Sequence, residues 1–451
     1  MTDCDVLVAG AGAAGLAAAL AAARDGRTVV LAEARETFRQ GSNTVMSTSM
    51  IPAAGSRWQQ AAGIEDSPGR FLADIRAKTH DRADPVVAAA LTAVAPELVG
   101  WLADECGVPL DLVTDFRYPG HSALRCHSVP DRSGASLHRA LLDAATGRDD
   151  LHLMVPARLV DVHLDSAGTV RAAELERPDG TREVLETPTV VLATNGFAAD
   201  PELVRRHLPE IAHGVYHGGE ASRGDALRLA ERLGLDTGYL DAYQGHGSLA
   251  VPDAILLTWA VVMHGGFLAD SAGLRFGDET VGYSEYAVPV LARPGGQAWA
   301  IYDRRVHDAC LAFKDYLDVV AAGAVRWADD VDALATVLGA PVGTLTATLA
   351  AAEAAATGAA PDALGRTGWG APLRPPYAAV RVTGALFHTQ GGLRVDRHAR
   401  VLRDGAPVPG LYAAGGAAVG ISGHGAGGYL AGNGLLSALG LGYLAGRHAT
   451  G

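Results

Sequence analysis

One short segment limits the fold more than any other. Asp5-Val6-Leu7-Val8-Ala9 reads as a buried strand, Gly10-Ala11-Gly12-Ala13-Ala14-Gly15 as a tight turn, and Leu16 to Arg24 as an Ala-rich helix. Thr28-Val29-Val30-Leu31-Ala32 is a second strand, closed by Glu33. Strand, turn, helix and strand in this order start a βαβ unit and a parallel sheet. In a G-x-G-x-x-G turn the first glycine permits the bend. The second lets a pyrophosphate reach the backbone, and the third lets helix and strand pack closely. The positive end of the helix then faces the phosphates. Glu33 is placed to accept from ribose hydroxyls. The acid favours a ribose without a 2′-phosphate and leaves NAD and FAD both open.

Composition removes several classes. Of 451 residues, 49% are apolar and 19% charged, which gives a folded chain with a large core. The net charge is −13 and no basic stripe occurs, so nucleic acid is not an expected partner. Cys4, Cys106, Cys126 and Cys310 are scattered without a CxxC pair. That is neither a disulfide framework nor a zinc site, and a reduced, cytoplasmic setting is expected. The apolar stretch Gly15 to Ala23 follows Asp3 and Asp5 and has no basic segment before it, unlike a secretion signal. Gly425 to Gly446 is long, apolar and rich in glycine; it reads as a buried segment, and no transmembrane segment is expected. His213 and His217 lack a supporting acid or Cys, so no metal is expected.

Along the chain, helices are expected near Pro85 to Glu105, Ser136 to Ala145 and Gly224 to Leu233. Leu151 to Val155, Leu159 to Leu164 and Val170 to Glu176 read as strands of a small meander, with Asp179-Gly180 as a hairpin turn. Thr189 to Thr194 is another buried strand. The texture changes after residue 237. Ala254 to Ala269 is strongly apolar, and Val331 to Gly358 is Ala-rich and helical. Strand–turn–strand character returns from Phe387. The expected division is 1–237, the first part of a dinucleotide-binding domain; 238–374, an inserted α+β domain; and 375–451, the completion of the first.

Six motifs in register resemble the flavoproteins of fumarate reductase and succinate dehydrogenase, together with the 3-ketosteroid Δ1-dehydrogenases. After the GAGAAG turn comes Gly41-Ser42-Asn43-Thr44, similar to the segment beside the flavin ring. Ala193-Thr194-Asn195-Gly196-Phe197 resembles ATGGF, and Gly224-Asp225-Ala226-Leu227 resembles GDGL. Gly273-Leu274-Arg275-Phe276-Gly277-Asp278-Glu279 resembles GxRFxxE. His388-Thr389-Gln390-Gly391-Gly392 resembles HTMGG, and Pro409 to Gly415 resembles PGLYAAG. The resemblance implies FAD on a GR2-type Rossmann-like α/β domain built from both ends of the chain, with an inserted capping domain. It implies cofactor contacts from Gly10, Gly12, Ala14, Gly15, Glu33, Ala34, Ser42, Asn43, Thr44, Ala157, Thr194, Asn195, Gly196, Gly415, Gly432, Asn433 and Leu435. Members with covalent FAD carry a His where this chain has Asn43, so noncovalent FAD is expected. The helix starting at Gly432-Asn433-Gly434 is expected to aim its positive end at the flavin pyrimidine ring.

The same alignment shows where the chain departs from a fumarate reductase. Tyr283 stands at the position of the proton-donating Arg, and Trp259 and Val262 stand at its relay positions. Tyr429 replaces the clamping Arg of RLGGN. A dicarboxylate without bidentate arginines loses several kcal/mol of binding. Ketosteroid dehydrogenases carry a catalytic Tyr after RFxNE and another in the last motif. The resemblance therefore implies that Tyr283 and Tyr429 are catalytic, with Tyr286 a rival to Tyr283. His246 in Gln244-Gly245-His246-Gly247-Ser248 and His388 are expected at substrate oxygens. His121, Arg125 and His127 form a further polar cluster.

The expected chemistry is desaturation of a carbon–carbon bond next to a carbonyl, or its reverse, with a ketone, enone or unsaturated acid as substrate. No haem motif of the C-x-x-C-H kind occurs, so a separate electron carrier or acceptor is expected. Rival readings are a reductase of an unsaturated acid, using Arg125 or Arg275 as its cation, an oxygen-using flavin oxidase or hydroxylase, and a non-catalytic flavin-binding module.

Overall fold

The computed structural model describes residues 3–115 and 117–449. In chain order the elements that carry the site are β1 (Val6–Ala9), α1 (Ala13–Ala22), β2 (Val29–Ala32), α2 (Pro85–Asp104), α3 (Gly134–Thr146), β3 (Leu151–Met154), β4 (Val190–Leu192), α4 (Asp225–Leu233), β5 (Tyr243–Ala250), β6 (Gln297–Asp303), β7 (Tyr377–Thr389), β8 (Arg400–Arg403), β9 (Ala406–Ala413) and α5 (Asn433–His448). The chain forms two compact units. One holds Met1–Pro209, Gly218–Gln244 and His388–Gly451; the other holds Glu210–His217 and Gly245–Phe387.

The first unit is organised by a six-stranded sheet in the order β8-β9-β4-β1-β2-β3. All neighbours are parallel except β8 and β9. β1 lies between β2 and β4, with Val8 opposite both Leu31 and Val191. Every residue of β1, β2 and β4 is buried. Helices cover both faces of such a sheet, which is why these strands are continuous Val/Leu/Ala runs without alternation. Leu411, Tyr412 and Ala413 of β9 pair with Val190, Val191 and Leu192, so the last part of the chain completes the sheet begun by the first.

Leu151–Met154 differs from expectation. It is β3, parallel to β2 with Leu153 opposite Leu31, and does not join the meander. Pro156 follows it and has no N–H for a ladder, so the strand stops before it. The meander consists of Arg158–Leu164, Val170–Glu176 and Arg182–Glu186, whose antiparallel pairing leaves many charged side chains in solvent.

The tightest contact in this unit joins α1 to α5. All ten residues of α1 are buried, and all but Gly15 and two leucines are alanines. α5 offers glycines at the facing positions. A Cβ on Gly442 would strike the carbonyl oxygen of Ala14, and one on Gly446 would strike that of Ala18. The Gly-rich stretch is thus a helix stripped of side chains where a second helix backbone approaches. α2 packs beside α5, and its Glu97 accepts a hydrogen bond of 2.8 Å from Tyr443. α2 starts cleanly because Asp84 accepts from the N–H groups of Val86 and Val87 and Pro85 occupies the first turn. By length and composition α2 is apolar enough to cross a membrane, but 56% of that window is buried inside the protein.

The second unit is built on a seven-stranded sheet, with β5, β7 and β6 adjacent at its centre. Seven pairs join β6 to β7 antiparallel, from Gln297–Thr383 to Asp303–Tyr377. The expected Ala-rich helical run breaks into Val331–Leu338 and Val342–Ala356, because Gly339 caps the first helix in a left-handed conformation and Pro341 cannot continue it.

Two substitutions separate the α1–α5 contact from simple helix propensity. Gly442→Ala is expected to destabilise the FAD-loaded protein by about 1–3 kcal/mol through overpacking. Gly100→Ala, in α2 with nothing within 4 Å of its added methyl, is expected to stabilise it by roughly 0.5–1 kcal/mol. Thermal unfolding of both variants checks the opposite signs.

Candidate active site

The sheet delivers its polar residues to one edge. Gly10 follows β1, Glu33 follows β2, Thr194 follows β4 and Gly415 follows β9. In an open parallel sheet this carboxyl edge is where ligands bind. A Cβ on Gly10, whose φ is +107°, would strike the carbonyl oxygen of Ala193; one on Gly15 would strike that of Gly10. Those two glycines are required by the protein itself. Gly12 is different. A Cβ there would meet only Thr44 Oγ1, at an ordinary 3.4 Å. Its bareness keeps the N-terminus of α1 open to a ligand backbone, which fits a pyrophosphate.

Glu33 is buried. Its carboxylate accepts from the N–H groups of Ala11 (2.8 Å) and Arg35 (2.9 Å). Burial pushes its pKa up, against those hydrogen bonds. Ala34 follows it, and the N–H of Ala157 donates to the Glu33 carbonyl at 2.7 Å, tying β2 to the segment after β3. Thr44 Oγ1 accepts from Ala13 at 2.9 Å, and Ser42 Oγ from Val45 at 3.3 Å. Asn43 accepts from Gly219 N–H at 2.5 Å and donates to Asn195 Oδ1 at 3.4 Å. Asn195 Oδ1 also takes the Gly196 N–H at 2.8 Å. Ala14 lies against Gly415, where an added Cβ would stand 3.1 Å from its own. Gly432, with φ +86°, caps α5 where a Cβ would meet Pro52 and the Met50 carbonyl. Among the described residues, Thr194 Oγ1, Asn433 Oδ1 and Ser437 Oγ are buried without a hydrogen-bond partner. Buried polar atoms of this kind call for a ligand or ordered water. These residues fit a large, polar dinucleotide. Leu435 is a buried apolar residue of the first turn of α5.

The same unit holds His388 and Tyr429, with ring centroids 5.7 Å apart and edge to face. The Gly434 N–H, in the first turn of α5, donates to Tyr429 Oη at 3.2 Å. A Cβ on Gly434 would stand 2.9 Å from the His388 ring. Burial raises the pKa of Tyr429, so its proton stays on the oxygen. Burial lowers that of His388 to about 4, so its imidazole is neutral. Gln390 and Ser422, which the sequence reading passed over, stand behind it. Gln390 Nε2 lies 3.2 Å from His388 Nδ1, and Ser422 Oγ donates to Gln390 Oε1 at 3.0 Å.

The second unit holds an aromatic cluster. His246 is stacked between Tyr283, at 4.8 Å, and Phe387, at 5.2 Å, both inclined by 21°. Trp259 meets the His246 ring edge-on at 5.8 Å. Burial, helped by the neighbouring His217, lowers the His246 pKa to about 3. The Ser248 N–H, which can only donate, lies 3.3 Å from His246 Nδ1. Ser248 Oγ, whose proton goes to the Leu257 carbonyl at 2.8 Å, lies 3.2 Å from the same nitrogen. Tyr283 is half-buried, while Tyr286 is 2% exposed and its hydroxyl has no hydrogen-bond partner. Trp259 Nε1 is likewise unpaired. Nothing in the sequence flagged that pair of buried donors, since their isolation is a matter of packing.

The two arginines considered as carboxylate clamps are already engaged. Arg125 is 1% exposed and binds Asp66 through Nε (2.8 Å) and Nη2 (3.0 Å) and Asp74 through Nη1 (2.5 Å). Arg275 binds Glu279 and Asp362, with contacts of 2.8 and 2.7 Å. Of the companions of Arg125, His127 pairs with Ser56 at 2.7 Å and His121 with the Ala431 carbonyl at 3.1 Å.

Comparison with known proteins places this geometry. The model of the FAD binding domain family matches residues 5–435. NADH:fumarate oxidoreductase of Klebsiella pneumoniae (strain 342) is 30% identical over 99% of this chain, which spans 47% of that protein's length. A solved structure of the open conformation of a flavocytochrome c3 fumarate reductase is 26% identical with a TM-score of 0.81, over 99% of this chain and 78% of the other. The 3-ketosteroid-delta4-(5alpha)-dehydrogenase of Rhodococcus jostii RHA1, solved with 4-androstene-3,17-dione, is 25% identical with a TM-score of 0.77, over 100% and 98%. The chain belongs to the FAD binding domain family and is an FAD-dependent oxidoreductase similar to fumarate reductases and 3-ketosteroid dehydrogenases.

Proposed function

We propose that this protein desaturates a carbon–carbon bond next to a ketone, or reduces the corresponding enone. The observation that carries the reading is a set of polar groups without charge. In the first unit Tyr429 and His388 are uncharged near neutral pH and Arg125 is neutralised by buried carboxylates; in the second unit His246 is likewise uncharged and Arg275 likewise neutralised. Such a set suits a ketone oxygen. A dicarboxylate would need desolvated cations to balance it.

FAD, which the Gly10–Gly15 turn, Glu33 and the first turn of α5 would hold, would supply the hydride acceptor for desaturation or the hydride donor for reduction. Tyr429 donates its O–H to the substrate carbonyl. The Gly434 N–H on its oxygen makes that phenol a stronger donor, while burial keeps it protonated. His388 donates a second hydrogen bond to the same oxygen. Two donors aimed where enolate charge develops supply the main electrostatic help. Tyr283 exchanges the α-proton: as the phenolate it takes the proton during desaturation and then sheds it to solvent, and as the phenol it donates a proton during reduction. His246, stacked on Tyr283, holds that ring in place. A separate carrier takes up the two electrons in desaturation or supplies them in reduction.

FAD is held without a covalent bond in this reading. The Asn43 amide is not a nucleophile and is committed to Gly219 and Asn195. The setting is cytoplasmic, as expected from scattered, reduced cysteines. The fumarate reductases among its relatives support a second reading, in which the substrate is an unsaturated carboxylic acid and Tyr429 and His388 bind one carboxylate.

Anaerobic mixing with saturated cyclic ketones, 3-ketosteroids included, is expected to bleach the visible flavin band, whereas saturated acids leave it unchanged. Reoxidation of dithionite-reduced protein by enoates alone would establish the second reading instead. Tyr283→Phe is expected to lose at least 100-fold in turnover, the scale of general acid–base catalysis, while retaining FAD. Acid precipitation is expected to release all of the flavin into the supernatant.

The histidines give a pH signature. In the unfolded chain imidazole titrates near ~6.5, but in the fold His246 and His388 resist protonation down to about 3 and about 4. The unfolded state therefore binds more protons in between. Stability is complete above that window and declines as pH falls through it. The Tm of the FAD-loaded protein is expected to drop between about pH 6.5 and 4.5, with a shallower drop in His246→Gln.

A further inference from the structure

We infer that Asn433, Ser422 and Gln390 form a relay that fixes the His388 tautomer, making it a hydrogen-bond donor through Nε2. This rests on the reading of His388 as a donor to the substrate oxygen. Asn433 Nδ2 donates to Ser422 Oγ at 3.4 Å. The Ser422 hydroxyl in turn donates to Gln390 Oε1 at 3.0 Å. The Gln390 amide is then oriented with its NH2 toward His388 Nδ1, 3.2 Å away. An NH2 group can only donate, so Nδ1 offers its lone pair and the proton sits on Nε2. That edge of the ring faces α5, where a Cβ on Gly434 would stand 2.9 Å from Nε2.

Ser422 is 1%, Asn433 0% and Gln390 5% exposed, so water does not compete with the chain. The opposing contact is the Thr389 carbonyl, 3.3 Å from Nδ1, which can only accept and would select the other tautomer. The two contacts exclude each other. The oriented Gln390 decides in favour of Nε2–H. Tyr429 is the titratable side chain facing the ring. Gln390 and Ser422 are positioning residues, and the relay denies His388 the role of general base.

The test uses FAD-loaded protein carrying nitrogen-15 histidine, with His388→Asn to identify the His388 signals. The expected spectrum shows a bare Nδ1 and a protonated Nε2, unchanged between about pH 5.5 and 8. In Gln390→Glu the carboxylate can only accept. It draws a proton onto Nδ1 and lifts imidazole titration toward neutrality. Below the new pKa both nitrogens carry protons and Nε2 still donates. Above it Nε2 is bare. Ketone kcat/KM is therefore expected to acquire an alkaline limb, falling about tenfold as pH rises. Ser422→Ala is expected to mix the tautomers and lower kcat, and Ser422→Thr to restore both. A packing role alone would lower Tm and kcat without moving tautomer or pH profile. A wild-type spectrum with Nδ1 protonated overturns the relay, as does a flat profile in folded Gln390→Glu. An Nε2–H spectrum in a protein that turns over no ketone upholds the relay and sinks the desaturation reading.

Discussion

The approach of two helix backbones in the first unit sets the rest of its geometry. α1 and α5 meet where one brings alanines and the other glycines, so that Gly442 and Gly446 lie against the carbonyls of Ala14 and Ala18. Dispersion at this separation depends on the absence of side chains and falls quickly when the gap widens. The contact aligns the first turn of each helix beside the carboxyl edge of the sheet. The α1 turn is bare at Gly12. The α5 turn carries Asn433 and Gly434, which hold the hydrogen bonds of Ser422 and Tyr429. The bare α1 turn and the Tyr429 phenol thus share one packing contact.

Charge is handled differently in the interior and at the site. Among the described residues, the buried cations Arg125, Arg275 and Arg366 are each matched by carboxylates. Arg125 lies between Asp66 and Asp74, while Glu279 holds both Arg275 and Arg366. Such pairs offset their own desolvation and leave nothing for a ligand. Among the groups proposed for the substrate, the Tyr429 phenol and the His388 and His246 imidazoles are held in the neutral form by burial. A phenol pushed up in pKa and an imidazole pushed down are the same physical effect acting on opposite charges. The result is a set of donors that does not change with pH near neutrality.

Much of the fold was legible because it rests on local rules. The strand–GxGxxG–helix segment, the helix near Pro85 to Glu105 and the continuous apolar strands follow from backbone geometry and two-sided burial. Leu151–Met154 was misassigned to the meander. Its four residues carry no periodicity that distinguishes an edge of the parallel sheet from a hairpin strand. The long Ala-rich run hid a helix break for a similar reason, since alanine satisfies either side of Gly339. Tyr283, Tyr429, His246 and His388 could be named from motif order, but not their surroundings. The stacking of His246 between Tyr283 and Phe387 joins residues far apart in the chain, as does the relay from Asn433 to His388.

The sequence by itself determined that the chain builds a dinucleotide fold closed by its last strands, and its motif order led to the expectation of tyrosines in place of a reductase's arginines. Those are statements about residue type and order. Tertiary structure alone decided that Arg125 and Arg275 are consumed by carboxylates, that Gln390 and Ser422 back the His388 ring, and that Trp259 and Tyr286 keep unpaired buried donors. The physical reason is the range of the forces. Backbone propensity and turn chemistry act over a few neighbours and leave a trace in the sequence. Desolvation and hydrogen-bond pairing depend on which distant segments packing brings within about 3 Å.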